Sequence, residues 1–239
     1  LGAVQQDAKG FIWVNTSTVL QRYDGHRFIS FYPGRRLPEG TIRAMKMDQK
    51  NRIWLLIGDA HFGYLNPDDF SYHPVKIEAP ASFGGIPSGM YINRKNDIML
   101  VYDKLGYVTY TDASGIAAMA NNPFALPQGW QIVHLWQDTQ LNYWIGTMQG
   151  LVKYNPSTQQ LSYRGHNPEN DPVIKAFETV PSVNSLYLDK SNHFWMISWQ
   201  NPGLSVQSFN IKTGERKEWA SIIGKTINNQ YYVPFGLLE

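Results

Sequence analysis

Apolar and polar residues alternate along most of this chain in short runs, as in "FIWVNT" from Phe11, "TIRAMKMD" from Thr41, "RIWLLIG" from Arg52, "FGYLNP" from Phe62 and "FSYHPV" from Phe70. Runs of this length, rich in β-branched and aromatic residues with a period near two, predict β-strands. No segment keeps a helical period. Pairs such as Lys9-Gly10, Lys50-Asn51 and Ser191-Asn192 separate the runs and suit turn positions with a left-handed backbone.

The runs recur. Asp7 precedes Trp13 by six residues, Asp48 precedes Trp54, Asp138 precedes Trp144 and Asp189 precedes Trp195 by the same six. A worn copy has Asn93 and Met99 at that offset. Tyr23, Tyr64 and Tyr154 follow the Trp by ten, and Tyr110 and Phe209 fill the place at slightly longer spacing. The anchors 13, 54, 99, 144 and 195 are 41, 45, 45 and 51 residues apart. That period fits one four-stranded propeller blade. The expected fold is therefore all-β, a β-propeller of five whole blades near 1–37, 38–79, 85–120, 128–170 and 180–222. Residues 229–239 read as the first strand of a sixth blade, and the whole as part of a larger, seven-bladed ring; a five-bladed ring is the alternative.

The repeated residues read as structural. Each Asp ends a first strand and can accept hydrogen bonds from the turn that follows. Each Trp is expected to pack between neighbouring blades, where its large area counts most. Asp7, Trp13, Tyr23, Asp48, Trp54, Tyr64, Asp138, Trp144, Tyr154, Asp189, Trp195 and Phe209 form this structural set.

Two stretches, "QDAKGFIWVNT…LQRYDG" and "QDTQLNYWIGTMQGLVKYNP", resemble the two-component regulator propeller repeat. The second carries Trp144, Ile145, Gly146, Thr147, Gly150, Leu151 and Tyr154; the first keeps Asp7, Gly10, Trp13, Thr16, Leu20, Arg22, Tyr23 and Asp24. The resemblance implies the periplasmic sensor propeller of a bacterial membrane histidine kinase, many of which sense glycans. It implies an oligosaccharide or other small ligand, a homodimer through propeller faces, and membrane attachment only through segments outside this chain. The motif defines the blade more than the ligand.

Composition narrows the picture. Lys and Arg number 21 against 19 Asp and Glu, a net charge of +2 without a basic block, so the footprint of a nucleic-acid binder is missing. Apolar runs such as "IWLLI" are too short to span a bilayer. The absence of cysteine excludes disulfides, thiol catalysis and thiolate metal sites. The chain starts at Leu1 without a Met and reads as part of a longer protein.

Catalysis is not expected. A glycosidase or lyase would need converging carboxylates, and Glu39 alone lies near the start of an innermost strand. The six His residues show neither a His-x-His nor a His-Glu-x-x-His spacing, and no metal or cofactor is implied. "FGGIPSG" (Phe83 to Gly89) has glycines but neither the Lys-Ser/Thr nor the helix of a phosphate loop. The expected binding rim holds the loops between second and third strands and the connectors between blades: Arg35, Arg36, His61, Lys104, Trp130, Gln149, Trp199, Gln200 and Asn201. Aromatic faces, amides and cations of this kind suit sugars. Trp199 is the expected anchor, in a loop lengthened by "WQNPG". A plain protein-interaction scaffold is the alternative function, and a propeller hydrolase or lyase a more distant one.

Overall fold

The computed structural model describes residues 2–59, 61–83, 85–102, 106–119, 125–200 and 203–219. They form five sheets, each with four antiparallel strands in sequence order, and the third carries one added strand. The first contains β1 (Ala3–Gln6), β2 (Ile12–Asn15), β3 (Leu20–Tyr23) and β4 (Phe28–Phe31). The second contains β5 (Ile42–Met47), β6 (Ile53–Ile57), β7 (His61–Leu65) and β8 (Tyr72–Val75). A short β9 (Ile77–Glu78) follows, then β10 (Gly89–Ile92), β11 (Ile98–Tyr102), β12 (Gly106–Tyr110) and β13 (Ala117–Ala118) of the third. The fourth contains β14 (Ile132–Gln137), β15 (Tyr143–Thr147), β16 (Gly150–Asn155) and β17 (Gln160–Tyr163). After helix α1 (Pro172–Ala176) come β18 (Ser185–Leu188), β19 (His193–Gln200), β20 (Gly203–Asn210) and β21 (Arg216–Glu218).

Each sheet runs up and down in chain order, and the first strands of successive sheets lie beside one another, β1 by β5, β5 by β10, and β14 by β18. These are the blades of a β-propeller. Residues 1–122 form one compact unit with three blades, and residues 123–239 a second with two. The strand expected at 229–239 lies outside the described residues.

Two details depart from the repeat as read. Ile77–Glu78 falls in the second copy by counting, but it pairs parallel with β13 and adds a fifth strand to the third blade. Helix α1 was not expected. Asp171 caps it, with Oδ1 accepting from the backbone N–H groups of Val173 and Ile174, and Pro172 sits where no amide is needed.

The core lies in the seams between blades. Trp13 packs with Ile42, Met45, Ile53 and Leu55 of the second blade. Trp54 packs with Met90, Ile98, Leu100 and Val108 of the third. Trp144 packs with Val173 and Ile174 of α1 and with Leu186, Phe194 and Met196 of the fifth blade. Trp13 and Trp54 are fully buried and Trp144 nearly so, whereas Trp195 is half-buried and rests on Trp219 at 5.3 Å.

The Tyr spacing hides a register shift. Tyr23 pairs with Ile12, Tyr154 with Tyr143, Tyr110 with Ile98 and Phe209 with Phe194, each beside the residue before the anchor. Tyr64 instead pairs with Trp54 itself, their rings 5.0 Å apart, and buried Leu65 holds the equivalent place. Ile53 and Leu65 are twelve residues apart, one more than the equivalent pairs Ile12 and Tyr23 or Tyr143 and Tyr154. Because strand faces alternate, that extra residue turns Tyr64 to the other side of the sheet.

Candidate functional site

The four repeat carboxylates share one geometry. Trp13 Nε1 donates to Asp7 Oδ2 at 2.8 Å, Trp54 Nε1 to Asp48 at 2.8 Å, Trp144 Nε1 to Asp138 at 2.8 Å and Trp195 Nε1 to Asp189 at 2.7 Å. The other oxygen accepts two backbone N–H groups of the following turn, two and four residues on: Lys9 and Phe11, Lys50 and Arg52, Gln140 and Asn142, Ser191 and His193. The turn needs a left-handed residue at its third position, and Gly10, Asn51, Asn96, Leu141 and Asn192 supply it with φ between 62° and 86°. At Asp189 burial opposes the charge, but hydrogen bonds from Trp195 and from the backbone of His193 and Ser191 hold its pKa below the usual carboxylate range. These acids are occupied by the fold and present no free pair to a substrate.

The third blade shows the same turn with two substitutions. Where Met99 replaces the Trp, no indole N–H is there to donate. Asn93 replaces the acid: its Oδ1 still accepts from Lys95 and Asp97, and its Nδ2 donates to the Asp97 carboxylate at 2.9 Å. With no indole to accept from, the side chain at this place donates instead, to Asp97.

The Asp-bearing turns bound an open groove of about 370 Å³ in the seam between the first two blades. Gln5, Gln6, Asp7 and Ala8 of the first blade face Met47, Asp48, Gln49 and Asn51 of the second. Two cross-blade bonds fix its frame: Ala8 N–H donates to Asn51 Oδ1 at 2.8 Å, and Gln49 N–H donates to Asn96 Oδ1 of the third blade at 2.8 Å. Gln6 Nε2 is held by the Gly10 carbonyl at 3.1 Å. Among the described residues, the Gln5 and Gln49 side-chain amides have no partner, although both line the groove. Free amides beside the apolar Met47 can donate to and accept from a neutral polar ligand.

This groove is not on the expected rim. At that rim Gly58 N–H donates to Thr41 O at 2.8 Å, tying the β6–β7 connection to the blade connector. Arg35, Arg36 and His61 are exposed there, with the Arg36 guanidinium 5.8 Å over the Phe31 ring. In the second unit, Gln149 Oε1 accepts from Gln131 N–H at 3.2 Å and its Nε2 donates to Gly129 O at 3.3 Å, bracketing Trp130. Half-buried Trp130 meets the Tyr163 ring edge-on at 5.2 Å, with the Arg164 guanidinium 5.7 Å over it. Trp199 and Gln200 are not in a loop. The β19–β20 hairpin keeps its register out to Trp199 with Leu204 and Gln200 with Gly203, so the extra residues lengthen strands. Lys104 and Asn201 lie outside the described residues.

Gln5, Gln6, Gln49 and Asn51 were missed because the repeat acids and the turns that follow them read as structural alone. A signal existed: amides crowd the acids in "QQDAKG" and "MDQKN".

No protein-family model matches the sequence, and no curated protein matches it. Solved structures resemble the fold. The extracellular domain of a protein assigned as a one-component system in B. thetaiotaomicron is 17% identical with a TM-score of 0.63, over 90% of this chain and 30% of that one. The extracellular domain of a protein assigned as a hybrid two-component system in the same organism is 17% identical with a TM-score of 0.53, over 85% of this chain and 33% of that one. Virginiamycin B lyase from Staphylococcus aureus, in a catalytically inactive form with quinupristin, is 12% identical with a TM-score of 0.62, over 91% of this chain and 68% of that one. The chain thus spans about a third of the two signalling ectodomains, which are of the kind that the repeat motif resembles. Among the described residues no helix is long and apolar enough to cross a membrane.

Proposed function

We propose that this chain is a ligand-sensing, extracytoplasmic propeller segment of a two-component type receptor, responding to a glycan in the periplasm. The observation that carries the reading is the contrast within the first seam. The carboxylates are consumed by Trp and turn amides, while the Gln5 and Gln49 amides remain open to a ligand. That arrangement favours binding over bond cleavage, because hydrolysis of a glycoside requires two available carboxyl groups. The likeness to extracellular domains of signalling proteins supports the same reading. A signal also requires that the ligand bind two states of the receptor differently. The kinase, the membrane helix and further blades belong to the proposal as parts outside this chain.

Calorimetric titration with neutral oligosaccharides tests it. Binding is expected without product formation, and Gln5→Ala with Gln49→Ala should weaken it about tenfold, the equivalent of ~1.4 kcal/mol. Release of shorter sugars would replace the sensor by an enzyme. Binding that survives in the double variant but is lost in Trp130→Ala would move the ligand to the Trp130 loop of the second unit.

A second reading, a protein-interaction scaffold that dimerises through its faces, draws on Phe28 and Tyr32, which are 55% and 50% exposed at the outer strand of the first blade. Dimerisation abolished by Phe28→Ser, with no glycan bound by the wild type, would favour it.

A further inference from the structure

The third strand of each blade places one residue directly opposite the repeat anchor. In the first blade this is Arg22, opposite Trp13, and in the fourth it is Lys153, opposite Trp144. The two cations have different surroundings. Lys153 lies 5.7 Å over the Trp144 ring, and its Nζ pairs with Asp171 at 2.8 Å and Glu169 at 3.3 Å. Two further cations over seam aromatics are also partnered. Arg52 lies over Trp54 and Tyr64 and pairs with Asp48 and Asp112, both at 2.6 Å. Arg216 lies over Phe177 and donates to Gln207 Oε1 and to the Ala176 carbonyl.

Arg22 has the aromatic part of this arrangement without the acceptor. Its guanidinium sits 4.3 Å from the Phe11 ring centre and 4.8 Å from that of Phe70, across the seam in the second blade. Its Nε is buried with no hydrogen-bond partner, while its terminal nitrogens are not sealed from solvent. Among the described residues no carboxylate or carbonyl pairs with it. Acids are near in sequence to Phe70 but otherwise engaged: Asp68 bridges to Lys9 at 2.7 Å, and Asp69 accepts from the Ser71 hydroxyl at 2.6 Å. A guanidinium held against two rings is preorganised, and its fork can pair two oxygens of a carboxylate, phosphate or sulfate. A buried donor left unpaired calls for an explanation.

We propose that Arg22 forms an oxyanion-binding site between the first two blades, taking a carboxylate, phosphate or sulfate group of a ligand at the position that Asp171 and Glu169 fill for Lys153. The site stands apart from the amide groove, whose lining does not include Arg22, so either can fail without the other.

The uniformly nitrogen-15-labelled chain would be titrated with acetate, phosphate and sulfate, each against chloride at matched ionic strength. The Arg22 Nε–H resonance should move saturably with at least one oxyanion and not with chloride, and the three arms report which group it prefers. Arg22→Gln should weaken that binding at least tenfold, read from the loss of oxyanion-dependent shifts at the neighbouring Phe11 and Phe70 amides. Arg22→Lys, which keeps the charge but loses the fork, should fall between and also serves if the Gln variant does not fold. Absence of any saturable shift in the wild type would overturn the site, as would equal oxyanion affinity in the variants.

Discussion

Trp144 Nε1 donates to Asp138 Oδ2 at 2.8 Å, while Asp138 Oδ1 holds two backbone amides of its own turn. One carboxylate therefore joins the turn at the end of the innermost strand to the aromatic core of the seam. The same relationship recurs in the first, second and fifth blades. Asp138→Asn would keep the turn bonds through its amide oxygen but set an NH₂ against the indole N–H. This variant should lose about 1–3 kcal/mol of stability, the cost of an unsatisfied buried donor. Adding Trp144→Phe removes the indole donor, so a double-mutant cycle by urea unfolding should show favourable coupling between the two changes. Simple additivity would mean that the bond carries no weight.

Seam burial sets a second expectation. Trp54→Ala should cost on the order of 3–5 kcal/mol, as for large aromatics in cores. Trp54 is fully buried and Trp195 is not. Trp195→Ala should therefore shift the urea midpoint less than Trp54→Ala, and the reverse order would show that burial is not what these rings provide.

Asp112 joins the second and third blades through Arg52 at 2.6 Å and Lys50 at 2.6 Å. These hydrogen bonds, first that from Arg52, pull its pKa from 3.8 down to about 2 despite the opposing effect of burial. A carboxyl depressed by folding stabilises the native state above its unfolded pKa, and that contribution is lost as pH falls from 3.8 to about 2. The side chain is partly exposed, so solvent screening keeps the effect modest. Asp112→Asn should flatten the dependence of melting temperature on pH in that window and leave the slope near neutrality unchanged.

Gly146 in β15 has no room for a side chain. A Cβ there would stand 2.6 Å from the Val183 carbonyl oxygen, in the connector that leads to the fifth blade. Gly146→Ala must push that backbone away and should cost roughly 1–3 kcal/mol by overpacking. Thermal unfolding would measure it. A neutral result would mean that the connector yields freely.

The sequence by itself determined the blade. The six-residue offset from Asp7 to Trp13 and its copies reflects a local relationship, a turn capped by the acid that also reaches the indole, and local relationships leave a fixed spacing. The alternating runs likewise specified strands, because one face of each must be buried. Tertiary structure alone decided what depends on partners distant in the chain. Residue counting put Tyr64 with Tyr23, but a pairing register shifted by one residue between β6 and β7 reversed its face. Trp199 and Gln200 continued as paired strand, since Leu204 and Gly203 were available opposite them. The open amides of Gln5 and Gln49 come together only when β1 and β5 lie side by side. Arg22 and Lys153 look alike as third-strand cations, yet only the packing of α1 brings acids to one and leaves the other between two rings. Hydrogen-bond satisfaction in a seam depends on both blades at once, and no single repeat encodes that.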